Sequence, residues 1–263
     1  MTIPPLCLSV SLYVGYRSAD IDYALKELGV DYIDIVVLCR VSPTVPIEES
    51  VRALKAAVDQ GKAHHIGLSE ASAATIRKAQ AVAPIYCIEQ EWSLWSRDIE
   101  EEIVPTCREL GIKIVAYSPL GRGFLTGTLR SRSDPQFDQY DWRLFGQPKF
   151  AEGNMENNLE LVDAVGAVAA RKGCSVGQLA LAWLHAQGSD VIPIPGTTSV
   201  AHLDDNLAAR AISLTPAELQ EINGIFVPNR VAGDRYAHMA MTFHGNIEGG
   251  AAEAAEAAAA GSH

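Results

Sequence analysis

The pair Cys39-Arg40 sets a thiol beside a guanidinium, an arrangement in which sulfur can serve as a nucleophile or an acid. The alternative for Cys39 is a packed, inert thiol, the common state of a free cysteine. With Cys7, Cys87, Cys107 and Cys174 it makes an odd set of five, without a CxxC pair or a His at metal-ligand spacing. The expectation is reduced thiols and no metal centre. Tyr13 and Tyr16 are phenols, and a phenol without a cationic neighbour is a weak acid at neutral pH. His64 and His65 open a β-rich run and read as structural or surface residues. Trp92 and Trp95, with Phe137, Tyr140, Trp142 and Phe145 further on, favour an apolar, ring-containing small molecule over a charged sugar phosphate.

These residues need elements to hold them. From about residue 20, short apolar runs alternate with longer amphipathic ones, the pattern of repeated βα units around a parallel sheet. Strands are expected at 33–39, 64–69, 85–93, 113–119 and 191–196, and 6–14 is a sixth candidate behind the pair Pro4-Pro5. Pro46 and Gly61 bracket one helix, Ser72 caps a second, Gly111 ends a third, and Thr215-Pro216 begins the last. Between them NNLELVDAVGAVAARKG and SVGQLALAWLHAQG form a helix pair. The stretch from Gly121 to about Asn158 is too long for an ordinary βα loop, and loops of that length usually carry function. One domain over 1–247 is expected, followed by a low-complexity tail at 248–263.

The chain's 263 residues, 48% hydrophobic and 20% charged, suffice for a sizeable core. Its formal charge of −11 disfavours nucleic acid and anionic membrane surfaces as partners. No apolar run reaches the roughly 18 residues of a membrane span, and the start lacks the basic flank of a secretory signal. The expected compartment is the cytosol.

Four ordered stretches, DYIDIVVLCRVSPTVPIEES, GKAHHIGLSEAS, IEQEWSLWSRDIEEEIVPTCRELGIKIVAYSPLGRGFLTG and IPIPGTTSVAHLDDNLAA, resemble the aldo-keto reductases over about residues 17–240. The similarity is to the branch that includes voltage-channel β-subunits and plant and fungal aldehyde reductases. It implies a (β/α)8 barrel with its chemistry at the C-terminal strand ends, here incomplete or remodelled. It also implies an NADP or NAD cofactor. By the resemblance, Ser69, Glu70 and Gln90 hold the nicotinamide carboxamide, and Tyr117 stacks on its ring. Ser118, Leu120 and Gly121 follow the pyrophosphate. Gly196, Thr197 and Ser199, with Asp205 and Asn206, take the adenosine end. Relatives carry Lys or Arg where this chain has Ser199, so the preference for NADP over NAD is open, with Arg210 as a substitute cation.

Family members reduce carbonyls with a Tyr, a Lys, an Asp and a His. The match begins at the helix before the family's fourth strand, where the first Asp is Asp20 and the first Lys is Lys26. The expectation is therefore that the region bearing the first three is lacking. The family's His-Arg reads Cys39-Arg40, which leaves Cys39, Arg40 and Tyr13 as the catalytic candidates. Trp92, Tyr140 and Trp142 are the candidate substrate walls. Five or six strands cannot close an eight-stranded barrel, and a homo-oligomer sharing the 6–14 strand is expected. Four readings follow: an NAD(P)-linked oxidoreductase acting on a small apolar metabolite, a non-redox isomerase, cyclase or lyase, an inactive nucleotide-binding or regulatory protein, and an inactive truncated product.

Overall fold

The computed structural model describes residues 9–12, 18–138, 140–227, 229–239 and 242–246. Cys7, Tyr13, Tyr16 and the tail from 248 lie outside the described residues. The chain divides into two compact units, one of residues 1–90, 101–114 and 240–263 and the other of 91–100 and 115–239.

The first unit alternates strand and helix: β1 (Ser9–Leu12), α1 (Ser18–Leu28), β2 (Ile33–Leu38), α2 (Ile47–Asp59), β3 (Ala63–Ser69), α3 (Ala73–Gln80), β4 (Ile85–Glu91) and α4 (Ile103–Leu110). Strands β1 to β4 are parallel neighbours in chain order, with Ser9 opposite Ile35, Ile35 opposite His65, and Ser69 opposite Glu89. The candidate strand at 6–14 is thus real over Ser9–Leu12. Next to β4 the sheet continues with the first residues of β5 (Lys113–Tyr117). In β2, Ile33, Val36, Val37 and Leu38 are all buried, because a parallel strand is covered on both faces and cannot alternate apolar with polar. Leu54 and Ile76 of the connecting helices fill in behind it with no exposed surface. The Ser72 side chain accepts from Thr75 N–H, as its position before an apolar run predicts.

In the second unit the remainder of β5 neighbours β6 (Val191–Pro193), and Ile194 N–H donates to Ala116 O. Helices α6 (Asn154–Lys172), α7 (Val176–His185) and α9 (Pro216–Ile225) stand where the sequence places them, and α8 (Val200–Ala208) adds a helix for which none was expected. Ser175 and Thr215 each close a capping box with the residue three positions on. The long segment after β5 is not structureless. It holds a 3₁₀ turn at 121–126, the short helix α5 (Arg143–Gly146) and a second 3₁₀ turn at 148–150. The reason is aromatic: Trp95, Phe124 and Phe150 pack together, with ring centres 4.0 to 6.3 Å apart.

Strand β2 stops one residue before its expected end, at Leu38, and three others stop two or more residues early. Strand β4 ends at Glu91 because Ser93 and Ser96 exchange backbone hydrogen bonds in a tight turn. Strand β5 ends at Tyr117 because Ser118 turns to φ +48° ahead of Pro119. Strand β6 ends at Pro193, since Pro193 and Pro195 lack the N–H a ladder needs. Among the described residues there are six strands, and β1 and β6 each have one strand neighbour. No helix among them is long and apolar enough to cross a membrane, and no group of three or more His, Cys, Asp or Glu is arranged to hold a metal ion.

Candidate functional site

In the first unit the candidate residues gather at the C-terminal ends of β2, β3 and β4. Arg40, two residues past β2, donates to Ser69 Oγ at 3.3 Å and to Cys39 O at 2.5 Å. The same nitrogen lies 3.7 Å from Cys39 Sγ. The structure therefore brings together Cys39, Arg40 and Ser69, 29 positions apart at the widest step. Burial raises the Glu89 carboxyl above its ordinary value, and Arg40 opposes that rise. Glu70 is fully buried in the left-handed region, φ +52°, where a non-glycine residue is held at a cost by its surroundings. Its N–H donates to Glu89 O and its carboxylate accepts from Phe243 N–H. The carboxylate of Glu70 is thus engaged with the backbone of the chain's last described turn.

Gln90 supplies the test of cofactor fit. It has no exposed surface, and its Nε2 donates to Ala71 O at 2.9 Å. Its Oε1 is buried with no hydrogen-bond partner among the described residues. A buried orphan acceptor is costly unless something donates to it. A carboxamide offers N–H donors for Gln90 Oε1 and a carbonyl that a hydroxyl such as Ser69 Oγ can meet. In kind, though both side chains are buried, these groups match the donors and acceptor of a carboxamide.

The second unit holds a buried charged network that sequence reasoning missed. Glu91, 3% exposed, accepts from Ser96 Oγ at 3.1 Å and Arg122 Nη2 at 3.2 Å, with Arg235 Nη1 at 3.8 Å. Arg122 also donates to Gln147 Oε1 at 2.6 Å and Tyr236 OH at 2.8 Å. Tyr236 OH in turn meets Tyr117 OH at 3.3 Å. Lys149 donates to Trp95 O and Ser96 Oγ, and burial pulls its pKa down to about 8. The available signal was Arg122 between two glycines: Arg122 and Gly123 are both left-handed, at φ +57° and +95°. Gly121, at φ +55°, also needs its lack of a side chain, since a Cβ would come within 3.1 Å of the Trp95 ring. The N–H groups of Gly121 and Gly123 turn inward to Ser118 O and Leu120 O. Those two amides therefore close the turn instead of facing a phosphate.

The expected adenosine-end residues separate. Ser199 caps α8 by accepting from His202 N–H, and Thr197 Oγ1 accepts from Ser199 N–H. Asp205 points to the start of α7, accepting from Ser175 Oγ and Gln178 Nε2. Asn206 instead lines a cleft of about 550 Å³ between α7, β6 and α8, together with Arg210 and His185. Gly196 is exposed, and a Cβ there would meet nothing within 4 Å. The aromatic candidates separate as well. Trp92 is 1% exposed, donates its indole N–H to Glu100 and sits edge-on to Trp183. It is a core residue, and this packing leaves no face for a substrate. Tyr140 and Trp142 are 80% and 49% exposed.

Comparison with known proteins matches residues 16–226 to the aldo/keto reductase family. Among solved structures, the glycerol dehydrogenase of Gluconobacter oxydans is 30% identical with a TM-score of 0.74 over 80% of this chain, which spans 64% of that protein's length. A thermostable aldo-keto reductase in complex with the inhibitor epalrestat is 26% identical, TM-score 0.65, covering 84% of this chain and 71% of its own. An aldo/keto reductase from Klebsiella pneumoniae in complex with NADP and acetate shares the fold at 24% identity, TM-score 0.66, over 88% of this chain and 73% of that one.

Proposed function

This chain belongs to the aldo/keto reductase family, and from that premise we propose that it binds NADP or NAD and transfers hydride between it and a small, apolar carbonyl or alcohol. The observation that carries the reading is the buried, unpartnered Oε1 of Gln90 at the end of β4. It is an acceptor waiting for a donor, beside the strand that ends in Ser69. When bound, the cofactor supplies the hydride.

The chain's own residues bind and orient. Gln90 would accept from the carboxamide N–H, and Ser69 would donate to its oxygen. Ser69 Oγ is fixed by Arg40, whose guanidinium donates into it and leaves the hydroxyl proton free to be given away. Cys39, half-buried beside the same guanidinium, is the group assigned to proton delivery to the substrate oxygen. Since Ser199 is committed to capping α8, that position offers no cation to a 2′-phosphate. NADPH and NADH are expected to bind within about tenfold of each other.

Titration of the protein with NADPH and with NADH, followed by nicotinamide fluorescence, tests the reading. Saturable binding of at least one is expected. No binding of either at about 1 mM, a free energy weaker than about 4 kcal/mol, overturns it. Loss of turnover in Cys39→Ala with cofactor binding retained supports the assignment of the thiol, and unchanged turnover removes it.

A further inference from the structure

Trp142 immediately precedes α5, and it is both immobilised and half in water. Gly146, one turn on, comes so close that a Cβ there would lie 2.3 Å from the indole Nε1 and 2.5 Å from Cε2. Only glycine leaves room for the indole in this position. The Arg122 guanidinium lies 5.2 Å from the Trp142 ring centre. It cannot swing away, because Gln147, Glu91 and Tyr236 all accept from it. The Tyr236 ring completes the frame, 6.0 Å off and inclined at 50°. Within this frame Trp142 keeps 49% of its surface exposed, whereas Trp92, Trp95 and Trp183 are 4% exposed or less.

A large ring left in water forgoes the stabilisation of burial. One already fixed in place loses little further freedom when something covers it. Its neighbours Tyr140 and Phe145 are exposed too, at 80% and 64%, but have no comparable frame of ring and cation contacts. Of these three neighbouring aromatics Trp142 is the one that combines exposure with a fixed frame, in the same network that carries Tyr117 through Tyr236. We propose that Trp142 is a stacking platform, within the second unit, that binds ring-bearing small molecules, aryl ketones and aryl carbinols, in preference to aliphatic ones of the same carbon number. This binding is independent of the hydride-transfer reading and is measurable without cofactor.

The other three tryptophans are buried, so collisional quenching of tryptophan fluorescence by acrylamide reports on Trp142. The probes are 1-phenylethanol and 2-octanol, each with eight carbons. In cofactor-free protein, 1-phenylethanol is expected to shield Trp142 and lower the quenching slope, while 2-octanol leaves it unchanged. Gly146→Ala keeps the indole but displaces it, and shielding should vanish. As a second variant, Trp142→Leu measured by calorimetry should weaken 1-phenylethanol binding by about two- to tenfold, the range of one aromatic contact, with 2-octanol within twofold. Equal shielding by both alcohols, shielding by neither, or wild-type affinity in Trp142→Leu overturns the platform. A protein that binds neither NADPH nor NADH yet shows the selective shielding retains the platform and loses the hydride-transfer reading.

Discussion

Replacing Lys149 by Met removes a buried cation from the network around Glu91 while keeping much of the side chain's length. Lys149 is 6% exposed and held by Trp95 O at 2.7 Å and Ser96 Oγ at 2.9 Å. Burial lowers its pKa from 10.5 to about 8. Glu91 and Asp98 push it back up, and Arg235 and Arg122 push it further down. Between those two values the unfolded chain holds the proton more tightly than the folded one, so stability rises with pH across the window. The penalty for burying the charge is fully present below pH 8 and is relieved as pH climbs to 10.5. At about 1.4 kcal/mol for each pH unit, the gap corresponds to about 3 kcal/mol. Met does not titrate, so urea unfolding of both proteins at steps from pH 7 to 10.5 isolates the effect. Wild type should gain about 3 kcal/mol relative to Lys149→Met over that range. Parallel profiles, or a relative loss by wild type, would refute the reasoning.

Gln90→Ala should weaken NAD(P)H binding by about five- to a hundredfold, the cost of leaving a carboxamide unpaired, and fluorescence titration reads it directly; equal affinity would mean the orphan acceptor faces something else. Gly233→Ala should lower stability by about 2 kcal/mol or more in denaturant unfolding, because its φ is +87° and a Cβ would fall 2.7 Å from the Pro148 carbonyl. Ser175→Ala should cost about 1 to 2 kcal/mol in the same assay, since it breaks a capping box and one of the contacts to Asp205.

The strands that carry Ser69, Gln90 and Tyr117 were legible as apolar runs bounded by turn residues, although β4 and β5 stop two residues before their expected ends. A strand end fixes where a side chain projects. The charged network was not legible for the converse reason. Glu91 meets Arg122 at 31 positions and Tyr236 meets Arg122 at 114, and no local periodicity encodes a pairing at such separations. Lys149 reads as a surface lysine in QPKF until Trp95 and Phe150 close around that segment.

Composition and spacing by themselves determined the βα alternation, the cap at Ser72 and the helix start at Thr215. All of these follow from interactions over a few residues, where backbone geometry leaves few options. Only the tertiary structure decided which of two similar residues serves which end. Trp92 and Trp142 are the same side chain in aromatic-rich surroundings, yet one is sealed against Trp183 and Glu100, while the other is held half-open by Gly146 and Arg122. Likewise Asp205 and Asn206 are adjacent in sequence and part company because successive helix positions point about 100° apart, one toward the start of α7 and the other into the cleft with Arg210. Burial depends on what distant segments bring to a position, and that is settled only when the chain has packed.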